Sequence, residues 1–251
     1  MTPFTINNLP VEAEPGETVL QVARRYGIEI PTLCYHEAVT AYASCRLCIV
    51  AATEGGRTRI VTSCTYPARE GLEVHTDTEA VRALRRVLLE LLLAEAPASE
   101  QLREYAAGLG VTTTRFPSED PENKCILCGL CERVCSEHAH VGSISFAHRG
   151  PRRKMTTPFD EPPDQCKGCT ACAYVCPTGA IDVRIGAGGM ELEPWCARVE
   201  MVACAECGMR FAPAPEMEEL AEKGKVEPAV MALCPICRRK AHARVLLTGK
   251  A

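Results

Sequence analysis

Cysteine is the residue that most constrains this chain. There are 17 cysteines among 251 residues, and all except Cys196 fall into four groups of four. These groups are Cys34, Cys45, Cys48 and Cys64; Cys125, Cys128, Cys131 and Cys135; Cys166, Cys169, Cys172 and Cys176; and Cys204, Cys207, Cys234 and Cys237. The N-terminus has no basic segment followed by an apolar one, so we expect no secretory signal and a reducing, cytoplasmic location. There, sets of four thiolates indicate iron or zinc sites rather than disulfides.

The composition excludes several classes of protein. Apolar residues make up 47% of the chain and charged residues 24%, a balance typical of folded domains in water. Aromatic residues are only 5%, which favours small modules over one large core. The net charge of −4 argues against a nucleic-acid partner. The longest apolar run, Val87 to Ala96, contains two glutamates and is too short for a membrane span.

The first 77 residues are predicted to form short strands around one helix. Thr18 and Gln21 form a capping-box pattern, which predicts a helix beginning after Thr18. A second capping-box pattern, Thr76 with Glu79, predicts the start of a longer helix that stops near Pro97. The strands are predicted at Phe4–Ile6, Val11–Ala13, Ile49–Ala52, Arg59–Thr62 and around Val74.

The longer helix carries an apolar stripe. Its residues Val81, Leu84, Val87, Leu88 and Leu91 recur at spacings of three and four. A further helix is predicted over residues 99–108. We interpret the two helices as a linker between modules, and a packing arm toward a partner is the alternative.

Two motifs in the middle of the chain are the most specific signal. The cysteines of residues 125–135 and of residues 166–176 both follow the spacing C-x2-C-x2-C-x3-C, and Pro177 ends the second motif. This spacing holds one [4Fe–4S] cluster with three cysteines and passes the fourth to a neighbouring cluster. The first motif has Ser136 where proline is usual. We therefore predict one cluster on Cys125, Cys128, Cys131 and Cys176, and another on Cys166, Cys169, Cys172 and Cys135, as residues 117–186 resemble a two-cluster bacterial ferredoxin.

The first quartet has the spacing C-x10-C-x2-C-x15-C, which alone allows zinc or [2Fe–2S]. Its surroundings are more informative: residues 30–36 (IPTLCYH), 44–50 (SCRLCIV), 61–67 (VTSCTYP) and 71–77 (GLEVHTD). They resemble the N-terminal [2Fe–2S] domain of the large iron–sulfur subunit of respiratory complex I. That domain recurs in [FeFe]-hydrogenases and in the diaphorase small subunit of NAD-reducing [NiFe]-hydrogenases. The resemblance implies a β-grasp domain with [2Fe–2S] on Cys34, Cys45, Cys48 and Cys64.

The sequence departs from that family between its first two modules. Most members carry a His-plus-three-Cys [4Fe–4S] cluster there, whereas Leu91 to Phe116 contains no cysteine and no histidine. We therefore expect the [2Fe–2S] domain to be poorly connected to the two larger clusters and to move as a separate module. Electrons are expected to enter or leave through the loop Glu37–Ser44, whose small residues would let a partner's cofactor approach.

The fourth quartet is two C-x2-C pairs separated by 26 residues, with Gly208 and Pro235 as turn residues. This pattern predicts a closed structural zinc site on Cys204, Cys207, Cys234 and Cys237. A rubredoxin-like iron or another cluster is the alternative. The remaining cysteine, Cys196, follows Trp195 and is expected to be buried and inert.

No dinucleotide loop, phosphate-binding loop or substrate-pocket motif is present in the sequence. We therefore predict an α+β chain of four parts: a [2Fe–2S] domain (1–77), a helical linker (78–116), a two-[4Fe–4S] domain (117–186) and a zinc-ribbon-like region (187–251).

The resemblance implies an electron-transfer subunit, non-catalytic alone, between a flavin/NAD(P)-binding iron–sulfur subunit and a terminal catalytic subunit. The terminal subunit is expected to be a hydrogenase. A formate dehydrogenase or a flavin-based electron-bifurcating complex is the near alternative. A redox-sensing scaffold of clusters and zinc is the alternative of another class.

Overall fold

The structure is a computed structural model that describes residues 1–186, 188–224 and 231–248. Ala187, at the predicted start of the C-terminal region, and the last three residues of that region lie outside the described part. The chain divides into two compact units. The first unit is Met1–Val134 together with Val175–Ala180, and the second is Cys135–Tyr174 together with the described residues from Ile181 onward.

A five-stranded sheet forms the start of the first unit. Its order is β2-β1-β5-β3-β4, with β1 and β5 parallel and the other pairs antiparallel. Alternate strand residues such as Ile6, Val11 and Val74 point into the core with the buried face of helix α1. The elements are β1 (Thr2–Ile6), β2 (Leu9–Ala13), α1 (Val19–Arg25), β3 (Ile49–Glu54), β4 (Arg57–Thr62) and β5 (Glu73–His75).

The predicted capping box of α1 is confirmed. The Thr18 hydroxyl accepts the N–H of Gln21 at 3.4 Å, and the Gln21 side chain accepts the N–H of Thr18 at 2.8 Å. Two first-turn donors that would otherwise lack partners are thereby satisfied. A turn formed by Gly55 and Gly56 joins β3 to β4, and both glycines have positive φ, 57° and 75°. That conformation suits tight hairpins and strains other residues.

The second predicted capping box is wrong. Thr76 is buried at the end of β5, where its hydroxyl accepts a hydrogen bond from the Asn7 side chain at 2.8 Å. The helix is capped instead by Thr78, which accepts the N–H of Val81 at 3.2 Å. Tertiary pairing with the β1–β2 turn therefore moves the helix start by two residues.

Two helices complete this part of the first unit, α2 (Glu79–Glu95) and α3 (Glu100–Gly108). Val81 and Leu89 are buried, whereas Leu84 and Leu91 of the predicted stripe are exposed. Ser99 is completely buried and caps α3 by accepting the N–H of Leu102 at 3.1 Å. Its hydroxyl also donates to the Thr178 carbonyl at 2.8 Å, which ties the helices to the returning segment of the unit.

The remaining elements are short. A four-residue helix, α4 (Leu130–Arg133), closes the first unit and continues into a π-helical turn, Val134–His138. The second unit contains the hairpin β6–β7, the sheet β10-β9-β8 and the hairpin β11–β12. Its elements are β6 (Ser145–Ala147), β7 (Lys154–Thr156), α5 (Ala171–Tyr174), β8 (Asp182–Gly186), β9 (Gly189–Glu193), β10 (Ala197–Val199), β11 (Met201–Ala203), β12 (Arg210–Pro213), α6 (Ala214–Glu222) and α7 (Pro235–Thr248).

The expectation that Cys196 is buried is wrong. It lies in the turn between β9 and β10, is exposed and has a positive φ of 51°. Its neighbour Trp195 takes the inward position and is 5% exposed, so the turn directs the cysteine outward.

None of the helices in the described part of the chain has both the length and the apolar character that a membrane span requires.

Replacing Ser99 by alanine should lower the free energy of unfolding by about 2 kcal/mol. The α3 cap contributes about 1 kcal/mol, and the Thr178 carbonyl left without its donor costs about 1 kcal/mol more. The matched control is Thr78→Ala, which removes only a cap and should cost about 1 kcal/mol. Anaerobic urea unfolding followed by circular dichroism measures both. Equal destabilisation by the two variants would contradict the tie to Thr178.

Candidate metal centres

The four cysteines of the first quartet are all buried and lie in two pairs. The N–H of Cys45 donates to the Cys34 sulfur at 3.3 Å, and the sulfurs of Cys48 and Cys64 are 3.3 Å apart. Cys34 belongs to the loop after α1, the middle two precede β3, and Cys64 follows β4. The sheet therefore brings together cysteines that are far apart in sequence.

Within each pair one thiol favours ionisation of the other. The hydrogen bond from the Cys34 thiol lowers the pKa of Cys45 to about 6 and raises that of Cys34. The Cys64 thiol likewise lowers the pKa of Cys48 to about 7. Thiolates are the ligand form of cysteine, so the site is suited to bind a metal. Two pairs of sulfurs fit two irons better than one tetrahedral ion.

The two central motifs wind their backbones in the same way. Leu127 and Gly129 in the first motif have φ of 51° and 70°, and Gly168 and Thr170, at the equivalent positions of the second, have 71° and 57°. Left-handed residues within a tight loop turn successive N–H groups toward one centre. The Leu127 N–H accordingly donates to the Cys125 sulfur at 3.4 Å. Such loops can surround an anionic cluster with backbone donors.

The fourth cysteine of each motif lies with the other motif. Burial raises the pKa of Cys125, and that of Cys128 to about 12, and the charge of Cys176 raises both further. Cys166 is affected in the same way by burial and then by the charges of Cys169 and Cys135. The unit boundaries agree, since Cys176 belongs to the first unit and Cys135 to the second.

A buried tryptophan N–H lies beside the second motif. Burial raises the pKa of Cys172 to about 11, and the indole N–H of Trp195 acts in the opposite direction. That N–H completes no hydrogen bond of normal geometry although it is buried. A buried donor without an acceptor is costly. An iron–sulfur cluster on these cysteines fits here, because its sulfurs would accept this hydrogen bond.

The fourth quartet converges as predicted. The sulfurs of Cys204, Cys207, Cys234 and Cys237 all lie within 4.8 Å of one another. The N–H of Cys234 donates to the Cys204 sulfur at 3.3 Å, which is the main reason that the pKa of Cys204 falls to about 6. The N–H of Cys237 donates to the Cys234 sulfur at 3.4 Å. This compact set of four fits a single metal ion.

The loop between Cys34 and Cys45 differs from the expectation. The sequence predicts an exposed edge for a partner over Glu37–Ser44, but Val39 and Ala43 are buried. Ser44 donates to the Leu127 carbonyl at 3.1 Å, so the loop packs on the first central motif. The predicted separate, mobile [2Fe–2S] module is also wrong, because residues 1–134 belong to one compact unit.

Sequence reasoning missed two residues at these sites. Trp195 is considered there only as a neighbour of Cys196, and Arg133, inside the first motif, is not considered at all. A basic residue next to a cluster cysteine and a lone tryptophan after a cysteine motif are signals that could have found them.

Family models match both iron–sulfur regions. Residues 1–79 match the "2Fe-2S iron-sulfur cluster binding domain" and residues 124–180 match the "4Fe-4S dicluster domain". These matches confirm the two types of iron–sulfur domain predicted from the sequence.

Curated relatives extend the similarity. The chain is 30% identical to the G 2 component of the NADH-quinone oxidoreductase of Rhizobium meliloti (strain 1021), over 83% of this chain and 27% of the relative. It is 29% identical to NADP-reducing hydrogenase subunit HndD of Solidesulfovibrio fructosivorans, over 72% of this chain and 36% of the relative. The chain thus spans about a quarter to a third of these relatives.

A solved structure is similar as well. A chain in the crystal structure of NAD+-reducing [NiFe]-hydrogenase in the H2-reduced state is 32% identical, with a TM-score of 0.56. The match covers 62% of this chain and 74% of that chain.

Replacing Cys234 by serine should remove the metal bound by the fourth quartet, about one ion per chain. Cys234 is fully buried and its sulfur accepts the Cys237 N–H, so a serine cannot replace it as a thiolate ligand. The control is Cys196→Ser, because Cys196 is exposed and outside every quartet. Metal analysis by plasma mass spectrometry measures both variants. Full metal content in Cys234→Ser would contradict a metal site there.

Proposed function

Because the chain belongs to the family of iron–sulfur proteins that joins the [2Fe–2S] region of the complex I large subunit to a two-cluster ferredoxin module, we propose that it is an electron-transfer subunit. It would serve a multi-subunit NAD(P)-linked oxidoreductase, specifically a hydrogenase. The observation that carries this proposal is the similarity to the NAD+-reducing [NiFe]-hydrogenase chain, 74% of which is covered at 32% identity.

The proposed ligand sets follow the cysteine pairs described above. A [2Fe–2S] cluster in a β-grasp domain would be held by Cys34, Cys45, Cys48 and Cys64. One [4Fe–4S] cluster would be held by Cys125, Cys128, Cys131 and Cys176, and the other by Cys166, Cys169, Cys172 and Cys135. A structural zinc in a ribbon-like module would be held by Cys204, Cys207, Cys234 and Cys237. The domain boundaries at residues 77, 116 and 186 are part of the same proposal.

The chain's own residues supply binding, orientation and electrostatics. When bound, iron–sulfur clusters accept and release single electrons. The N–H groups of Leu127, Ser143 and Ala180 donate to the sulfurs of Cys125, Cys135 and Cys176 at 3.3–3.4 Å. Hydrogen bonds to ligand sulfurs favour the more negative, reduced state of a cluster. The backbone is thus organised to hold an electron.

The partners follow from what the chain lacks in its described residues. No substrate-binding arrangement accompanies the cysteine quartets there, and clusters alone do not exchange the hydride of a nicotinamide. A flavin/NAD(P)-binding iron–sulfur subunit would exchange hydride for single electrons. A hydrogenase or another terminal catalytic subunit would be at the other end.

The function is tested with the full chain purified anaerobically. It should contain about ten iron atoms and about one zinc. NAD(P)H should bleach the clusters only when a flavoprotein subunit of such a complex is added. Clusters that dithionite reduces but that no such flavoprotein reduces would overturn the proposal and favour a redox-sensing scaffold. Reduction by a formate dehydrogenase or bifurcating flavoprotein alone would replace hydrogenase by that complex.

Replacing Trp195 by phenylalanine should lower the potential of the cluster on Cys172 by about 40 mV. One N–H···S hydrogen bond worth about 1 kcal/mol is lost, and it stabilises the reduced state more than the oxidised one. Redox titration followed by electron paramagnetic resonance (EPR) measures the potential. The cluster of the first unit is the internal control and should keep its potential. An unchanged potential at the second cluster would contradict the role of Trp195.

A further inference from the structure

A buried arginine joins two cysteine loops of the first unit. Arg133 lies on α4 and is 6% exposed. Its guanidinium donates to the carbonyls of Cys34 at 3.2 Å and Cys128 at 3.1 Å, and also to that of Thr40. Its Nε donates to the Gly129 carbonyl at 3.1 Å. One side chain therefore connects the backbone of a proposed [2Fe–2S] ligand to that of a proposed [4Fe–4S] ligand.

The guanidinium group explains why this position is occupied by arginine. Its donors project in fixed directions within one plane, whereas a lysine ammonium is a compact charge on a flexible stem. Burying a cation is unfavourable unless polar groups compensate for the lost water. The carbonyls of Cys34, Thr40 and Cys128 provide that compensation, and in return their positions are fixed.

A second set of hydrogen bonds crosses the same junction. Ser44, which precedes Cys45, donates from its hydroxyl to the Leu127 carbonyl at 3.1 Å. The Leu127 N–H in turn donates to the Cys125 sulfur at 3.4 Å. The path from Cys45 to Cys125 therefore consists of covalent bonds and two hydrogen bonds. Electron tunnelling is attenuated less along bonded paths than across gaps, so this path favours transfer.

We propose that Arg133 is the positioning residue that holds the [2Fe–2S] loop against the first [4Fe–4S] loop and so sets the electronic contact between their clusters. The inference rests on the proposed function and deepens it. The transfer moves one electron from one cluster to the other, in either direction, and needs no further oxidant or reductant. Ser44 supplies the bonded path across the contact that Arg133 fixes.

The test uses the full chain with its clusters and two matched pairs of variants. Arg133→Lys keeps the charge but loses the planar fork. Its control is Arg85→Lys, because Arg85 also donates to two carbonyls, those of Leu47 and Ile49, but does not reach the junction. Ser44→Ala is matched by Ser63→Ala. Ser63 also precedes a cysteine and donates to a carbonyl, but that of Cys48.

The main readout is the magnetic interaction between the two reduced clusters. A fast-relaxing [4Fe–4S] cluster close by shortens the spin relaxation of [2Fe–2S], which EPR power saturation measures. We expect Arg133→Lys to lose this enhancement while keeping its iron content, and both controls to retain it. Pulse-radiolytic reduction should show slower electron equilibration in Arg133→Lys and in Ser44→Ala, but not in the controls.

The outcomes separate this inference from the function. If Arg133→Lys retains native relaxation enhancement and native equilibration, the role of Arg133 is wrong. If Arg133→Lys fails to assemble, Ser44→Ala decides, because native equilibration in it overturns the proposed junction and slowed equilibration supports it. If the unaltered protein lacks either reduced-cluster signal, the proposed function fails, whatever the variants show.

Discussion

Thiolates repel one another, and the structure depends on how it brings four of them together repeatedly. Charges on Cys176 and Cys135 raise the pKa of cysteines near them, which is the signature of that repulsion. Backbone N–H groups offset it, donating to sulfurs at 3.3–3.4 Å in each of the four quartets. Metal cations would supply the larger compensation. The left-handed residues in both central motifs follow from the need to direct those N–H groups inward.

Patterns that depend on neighbours in sequence were predictable. The capping box of α1, the strands of the sheet and the convergence of the fourth quartet all agree with the structure. Cysteine spacing is informative because a cluster demands one loop geometry almost regardless of the surrounding residues.

Features that depend on distant contacts were not predictable. The Asn7 side chain captures Thr76 across 69 residues, which displaces the predicted helix cap. Trp195 occupies the core and leaves Cys196 exposed. Arg133 binds the carbonyl of Thr40, 93 residues away, and the loop that looked like an open docking edge is thereby enclosed. Each of these is a tertiary contact that overrides a local preference.

The missing His-plus-three-Cys cluster acquires a different meaning in this structure. Without it the [2Fe–2S] domain could have been isolated, but it shares a compact unit with Cys125, Cys128, Cys131 and Cys176. Under the proposed assignment, each [4Fe–4S] cluster has all its ligands within one unit, because the motifs exchange their fourth cysteines. Cluster binding and the division of the chain into units thus follow one arrangement.

The most direct test is a crystal structure of the anaerobic protein with anomalous maps at the iron and zinc edges. The account predicts a [4Fe–4S] cluster bound by Cys125, Cys128, Cys131 and Cys176, and a second bound by Cys166, Cys169, Cys172 and Cys135. It also predicts two irons at the first quartet and zinc at the fourth. Motifs that each close on their own fourth cysteine, or a first quartet that holds zinc, would contradict it.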